Sequence, residues 1–92
     1  MPKKEIYEAW VKEFKTKRTA QIPYNIYTKI LDKEFNAKEV NKSHSVGSKR
    51  AFRIAGTAII FVIHEPHGSS NKNVSKWDHQ NIYDILKLNG KL

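Results

Sequence analysis

The chain has 92 residues, enough for one small domain with a thin core. It carries 17 Lys and Arg against 9 Asp and Glu, a formal charge of +8, so a phosphate-bearing or anionic-lipid partner is the first expectation, beside that of an ordinary basic protein. No cysteine is present, which excludes disulfides and thiolate metal sites. The longest apolar run, residues 58–63, is far too short to cross a bilayer, and the charged start MPKKEIYEAW is not a secretory signal; a cytoplasmic protein without membrane contact is expected.

In chain order, residues 3–17 predict a helix. Ile6, Trp10 and Phe14 recur every four residues with Tyr7 and Val11 beside them, an apolar stripe suited to core packing or to a partner surface. Pro23 suits the first turn of a second helix over 23–35, with Ile26, Ile30 and Leu31 on one side. Periodicity is lost over 37–45, where a sheet is expected to begin. From 48 to 54 the residues alternate: Ser48, Arg50, Phe52 and Ile54 share one face, Lys49, Ala51 and Arg53 the other. Phe52 and Ile54 are expected to face the helices. Ala55-Gly56-Thr57 reads as a tight turn, and AIIFVIH as a strand covered on both faces, with the first helix as its second cover. After the polar loop EPHGSSNKN, Ser75 and Asp78 form a capping-box pattern opening a last helix, buried through Ile82, Ile85 and Leu86 and closed by Asn89-Gly90. The expected fold is a single α+β domain over 1–92: a three-stranded antiparallel sheet with helices, in the order helix, helix, strand, strand, strand, helix. Residues 22–90 form its core, with an additional N-terminal helix over 1–20.

Several side chains are candidates for chemistry. His64 and His67 stand three apart, as in some metal sites, but Pro66 interrupts the segment and no third ligand is nearby; structural or solvated histidines are the expectation, and no metal. His44, in a presumed strand, and His79, in the first turn of the last helix, are further groups able to exchange protons near neutral pH. Gly47 and Gly56 are isolated, so there is no glycine-rich phosphate loop. The basic residues carry more information. Lys42, Lys49, Arg50 and Arg53 cluster within a short span, and Lys72 and Lys76 approach from the loop before the last helix, a distribution that suits phosphate contacts or a solvated basic face.

The stretch Gly47-Ser48-Lys49-Arg50-Ala51-Phe52-Arg53 follows a helix and a strand. A second short strand, a polar loop and a helix carrying Ile85-Leu86 come after it. This arrangement resembles the HicA family of toxins from bacterial type II toxin–antitoxin systems, over about residues 22–90. The resemblance implies a fold similar to double-stranded RNA-binding domains and a metal- and cofactor-independent endoribonuclease that acts on mRNA. It also implies neutralisation by a HicB-type antitoxin that covers the active site. The RNA-binding candidates are Gly47, Ser48, Lys49, Arg50 and Arg53 in the matching stretch, with Lys72 and Lys76 from the loop before the last helix.

The family's catalytic residue is the histidine directly after Gly-Ser, and here Lys49 stands there. A lysine ordinarily stays charged near neutral pH, which suits electrostatic stabilisation of a phosphorane better than proton abstraction. Three accounts follow: another histidine, His64 or His44, takes the role; Lys49 inactivates the enzyme; or the chain is a small RNA-binding module that does not cleave. A further alternative is an interaction protein that docks a partner through Ile6, Trp10 and Phe14.

Overall fold

The computed structural model describes residues 2–40, 49–66 and 72–92, and only the backbone of residues 2–5. Among the described residues six elements follow one another: α1 (Pro2–Thr16), α2 (Tyr24–Phe35), β1 (Ala37–Glu39), β2 (Lys49–Ile54), β3 (Ile60–His64) and α3 (Lys76–Leu88). The fold is α+β. Its three strands form one antiparallel sheet in the order β1-β2-β3, so β1 and β3 are the edges.

Local chemistry sets the boundaries. Pro23 caps α2 from outside, with φ −55° and ψ 144°, rather than occupying its first turn. The amide of Tyr24 donates to the Lys72 carbonyl at 2.9 Å, and that of Val74 to the Ile22 carbonyl at 2.9 Å. This short bridge ties the start of α2 to the approach to α3. α2 ends at Asn36, which adopts the left-handed conformation with φ 53° and ψ 37°. Asparagine tolerates that region better than other non-glycine residues, so the chain turns into β1 with no intervening loop. Between β2 and β3, the Thr57 amide donates to the Ile54 carbonyl at 3.1 Å, and Gly56 takes φ 77° at the third position of the turn. A type II turn requires that sign there, and glycine supplies it without strain.

α3 opens on Ser75, whose Oγ accepts from the Asp78 amide at 3.1 Å. It closes on a Schellman arrangement: Gly90, with φ 72°, donates to Lys87, and Lys91 donates to the Leu86 carbonyl at 2.8 Å. The second half of the expected capping box is missing, because the Asp78 carboxylate is engaged with β3 instead.

The core lies between the sheet and a single layer of helices. Phe52, Ile54, Phe61 and Ile63 meet Tyr27, Ile30, Leu31 and Phe35 of α2, Ile82 and Leu86 of α3, and Phe14 of α1. The expectation that β3 is covered on both faces is corrected. Phe61 and Ile63 are buried, but Ile60 is 52% and Val62 38% exposed. α1 packs on the same side as the other helices: the Phe14 ring lies 4.9 Å from that of Tyr27, 5.3 Å from Phe35 and 5.0 Å from His79. The consecutive apolar run in β3 arises because β-branched residues also occupy its outer face, where strand propensity rather than burial favours them.

His79 is fully buried at the junction of the three helices. Its Nε2 lies 2.8 Å from the Lys17 carbonyl and its Nδ1 2.7 Å from the Tyr27 hydroxyl. A carbonyl only accepts, so Nε2 carries the hydrogen and Nδ1 accepts from Tyr27. Burial pushes the pKa of His79 below the ordinary histidine value, against the smaller upward pulls of the Lys17 carbonyl and of Glu13. The unfolded chain therefore takes up this proton first. The stability that His79 contributes is complete above about pH 6.5 and is lost as pH falls from there through the lowered folded-state value. The midpoint of thermal unfolding is expected to drop below about pH 6.5, and more shallowly in His79→Gln, which cannot titrate. Equal slopes for the two proteins would contradict this.

Candidate nucleic-acid interface

The face of the sheet that no described helix covers is built from alternate residues of its strands. The register sets Lys49 opposite His64, Ala51 opposite Val62, and Arg53 between Lys38 and Ile60. Residues directly opposed on antiparallel strands project to the same side, with Cα atoms about 4.5–5.5 Å apart. One end of this face therefore carries Lys49 and His64, the middle is aliphatic, and the other end carries Arg53 and Lys38. Lys49 and Arg53 are exposed, and neither makes an ion pair among the described residues. Lys38 is paired with Asp32.

His64 is the last residue of the edge strand β3. Its amide donates to Asp78 Oδ2 at 2.9 Å, and its Nδ1 lies 3.1 Å from Oδ1 and 3.2 Å from Oδ2 of the same carboxylate. Asp78 reaches from the first turn of α3 and is largely buried, whereas the His64 side chain is about half exposed. The carboxylate thus does two things: it satisfies an edge amide and it fixes the imidazole. With Nδ1–H donating to Asp78, Nε2 is the nitrogen left with a lone pair. Nε2 has no hydrogen-bond partner among the described residues. Lys49 is the cross-strand partner of His64 in the register.

Arg50, also a candidate for RNA contact, lies on the opposite face, as the alternation over 48–54 predicts. Alternation turns it to the helix side, where it is partly buried, 3.2 Å from Glu65 and 3.8 Å from Glu39. Glu39 lies on β1 and Glu65 directly after β3, so Arg50 clamps the three strands together. The nearby Tyr24 hydroxyl has its pKa pushed up to about 12, by burial first and then by the charges of Glu65 and Glu39, against the opposing pull of Arg50. His44, Gly47 and Ser48, and with them Lys42 and His67, lie outside the described residues. Lys72 is exposed in the segment leading into α3, and Lys76 is the exposed first residue of that helix, which also supplies Asp78. The structure thus brings Lys49 together with His64 on the face that Arg53 shares, and separates Arg50 from them.

Two residues were not singled out from sequence. Asp78 was read only as a helix cap, and nothing in a separation of 14 residues announces its bond to His64. Trp77 is 70% exposed. The available signal was its position on α3, off the buried stripe of Ile82, Ile85 and Leu86. Among the described residues no group of three or more His, Asp or Glu is placed to hold a metal ion, and no helix is long and apolar enough to cross a membrane. Comparison with known protein families, with curated proteins and with solved structures finds no match.

Proposed function

We propose that the chain is a HicA-like, metal-independent endoribonuclease acting on mRNA, with His64 in the role the family gives to the residue after Gly-Ser. In this reading α2-β1-β2-β3-α3 is the double-stranded RNA-binding-domain-like core and α1 an addition to it. The observation that carries the reading is the His64–Asp78 pair opposite Lys49, on the sheet face that no described helix covers, in a chain with a charge of +8.

The chemistry assigns one task to each group. Nε2 of His64 takes the proton of a ribose 2′-hydroxyl while Asp78 holds the ring and balances the charge it acquires. The 2′ oxygen attacks the adjacent phosphorus, the bond to the 5′ oxygen breaks, and that oxygen leaves with a proton from solvent. The products are a 2′,3′-cyclic phosphate and a 5′-hydroxyl. Lys49 stabilises the negative charge on the phosphorane, a task for which a permanent cation is suited. Arg53, about four residues or roughly 13 Å further along β2, holds a neighbouring phosphate. A HicB-like antitoxin would silence the enzyme by covering this face.

A non-catalytic RNA-binding module is the second reading, favoured by Lys49 at the position where the family has histidine. Both readings require RNA on this face. In Lys49→Ala/Arg53→Ala, single-stranded RNA is expected to bind more weakly, and the slope of log affinity against log salt to fall in magnitude by about 1.4. Unchanged affinity and slope would remove RNA from this face and sink both readings.

A further inference from the structure

We propose that Trp77 is a stacking platform for an unpaired nucleobase, which makes single-stranded rather than duplex RNA the substrate at the His64–Asp78 pair. The proposal rests on the RNA-directed reading above. Tryptophan is the side chain whose apolar area is most costly to leave in water, yet Trp77 is 70% exposed. It lies on the side of α3 away from Ile82 and Leu86, so the core does not use it. It directly precedes Asp78, whose Cα is about 3.8 Å from its own and whose carboxylate holds the His64 ring.

The surroundings distinguish a nucleic acid from a protein partner. Protein-docking tryptophans sit in apolar surfaces depleted of charge. The neighbours of Trp77 along the chain are polar or basic and exposed: Lys72, Asn73, Ser75 and Lys76 before it and Asn81 after it. The Lys76 ammonium lies 5.3 Å from the Trp77 ring centroid. A cation over one face of the ring leaves the other face for a base and offers a charge to its phosphate, independent of sequence. In a duplex, both faces of each base are already stacked on neighbours, so only an unpaired base can use the platform.

The test uses the full chain carrying His64→Ala, so that RNA stays intact, and a labelled oligoadenylate of about twelve nucleotides, free or annealed to its complement. Trp77→Ala is expected to weaken binding of the single strand by about tenfold or more, Trp77→Phe to restore most of it, and neither to change duplex binding or the midpoint of thermal unfolding appreciably. With Trp10→Phe added, Trp77 is the sole tryptophan, and its fluorescence is expected to quench on saturation with the single strand. Equal losses for Trp77→Ala and Trp77→Phe, or equal losses on single strand and duplex, would overturn the platform. Unchanged affinity in Trp77→Ala, with Lys49→Ala/Arg53→Ala still weakened, would overturn it while leaving the RNA reading intact and would turn Trp77 over to a protein partner. No binding of either RNA by the parent protein would overturn both.

Discussion

Alanine in place of His64 is expected to slow cleavage of single-stranded RNA by about 10²–10⁴-fold, the usual loss when a positioned general base is removed. The side chain is about half exposed and contributes nothing to the core, so the midpoint of thermal unfolding should hardly move. Asp78→Asn keeps the shape but replaces a carboxylate oxygen with an amide that donates, which removes the charge opposite the ring and allows the wrong tautomer of His64. A fall in kcat of about tenfold or more is expected, with KM little changed, because Asp78 acts on the reacting base and not on the RNA. A rise in KM with kcat intact would mean that Asp78 shapes the binding face and that His64 is not the base.

The largest structural effect is expected at Phe14. Its ring is fully buried and touches Tyr27, Phe35 and His79, which joins α1 to both other helices. Phe14→Ala removes these contacts and leaves a cavity in a thin core, at a cost of about 3–5 kcal/mol. For a domain of this size that is a fall of roughly 12–40 °C in the midpoint, enough to unfold many small proteins at physiological temperature. Ile6→Ala, at a position 55% exposed on the same helix, should cost less than about 1 kcal/mol. Chemical denaturation of the two variants checks the contrast. A loss below about 1 kcal/mol at Phe14 would mean that α1 is dispensable to the core.

The elements were largely legible from the sequence because local chemistry specifies them. Ser75 as a cap, Gly56 in its turn and Asn89-Gly90 at the helix end each act within a few residues, and the structure uses all three as expected. The alternation over 48–54 correctly turned Phe52 and Ile54 inward and Lys49 and Arg53 outward. What periodicity cannot give is which layer covers which face. The run in β3 looked buried on both sides, and only the packing of Phe14 against α2 and α3 shows that all the helices share one side. Charge clustering and alternation gave Arg50 different surroundings, and the structure follows the alternation. Proximity in sequence put it with Lys49 and Arg53, while the two-residue repeat put it on the opposite face, beside the carboxylates of Glu39 and Glu65. The His64–Asp78 pair depends on an edge strand meeting the first turn of a helix, a relation between elements that no local pattern encodes.

The measurement that bears most directly on the central claim is incubation of the purified chain with a long single-stranded RNA in EDTA, followed by analysis of the product ends. The account predicts cleavage, with 2′,3′-cyclic phosphates on one side of each cut and 5′-hydroxyls on the other. Intact RNA that is nevertheless bound would contradict it and establish the chain as a binding module, with Lys49 and His64 serving phosphates instead of chemistry.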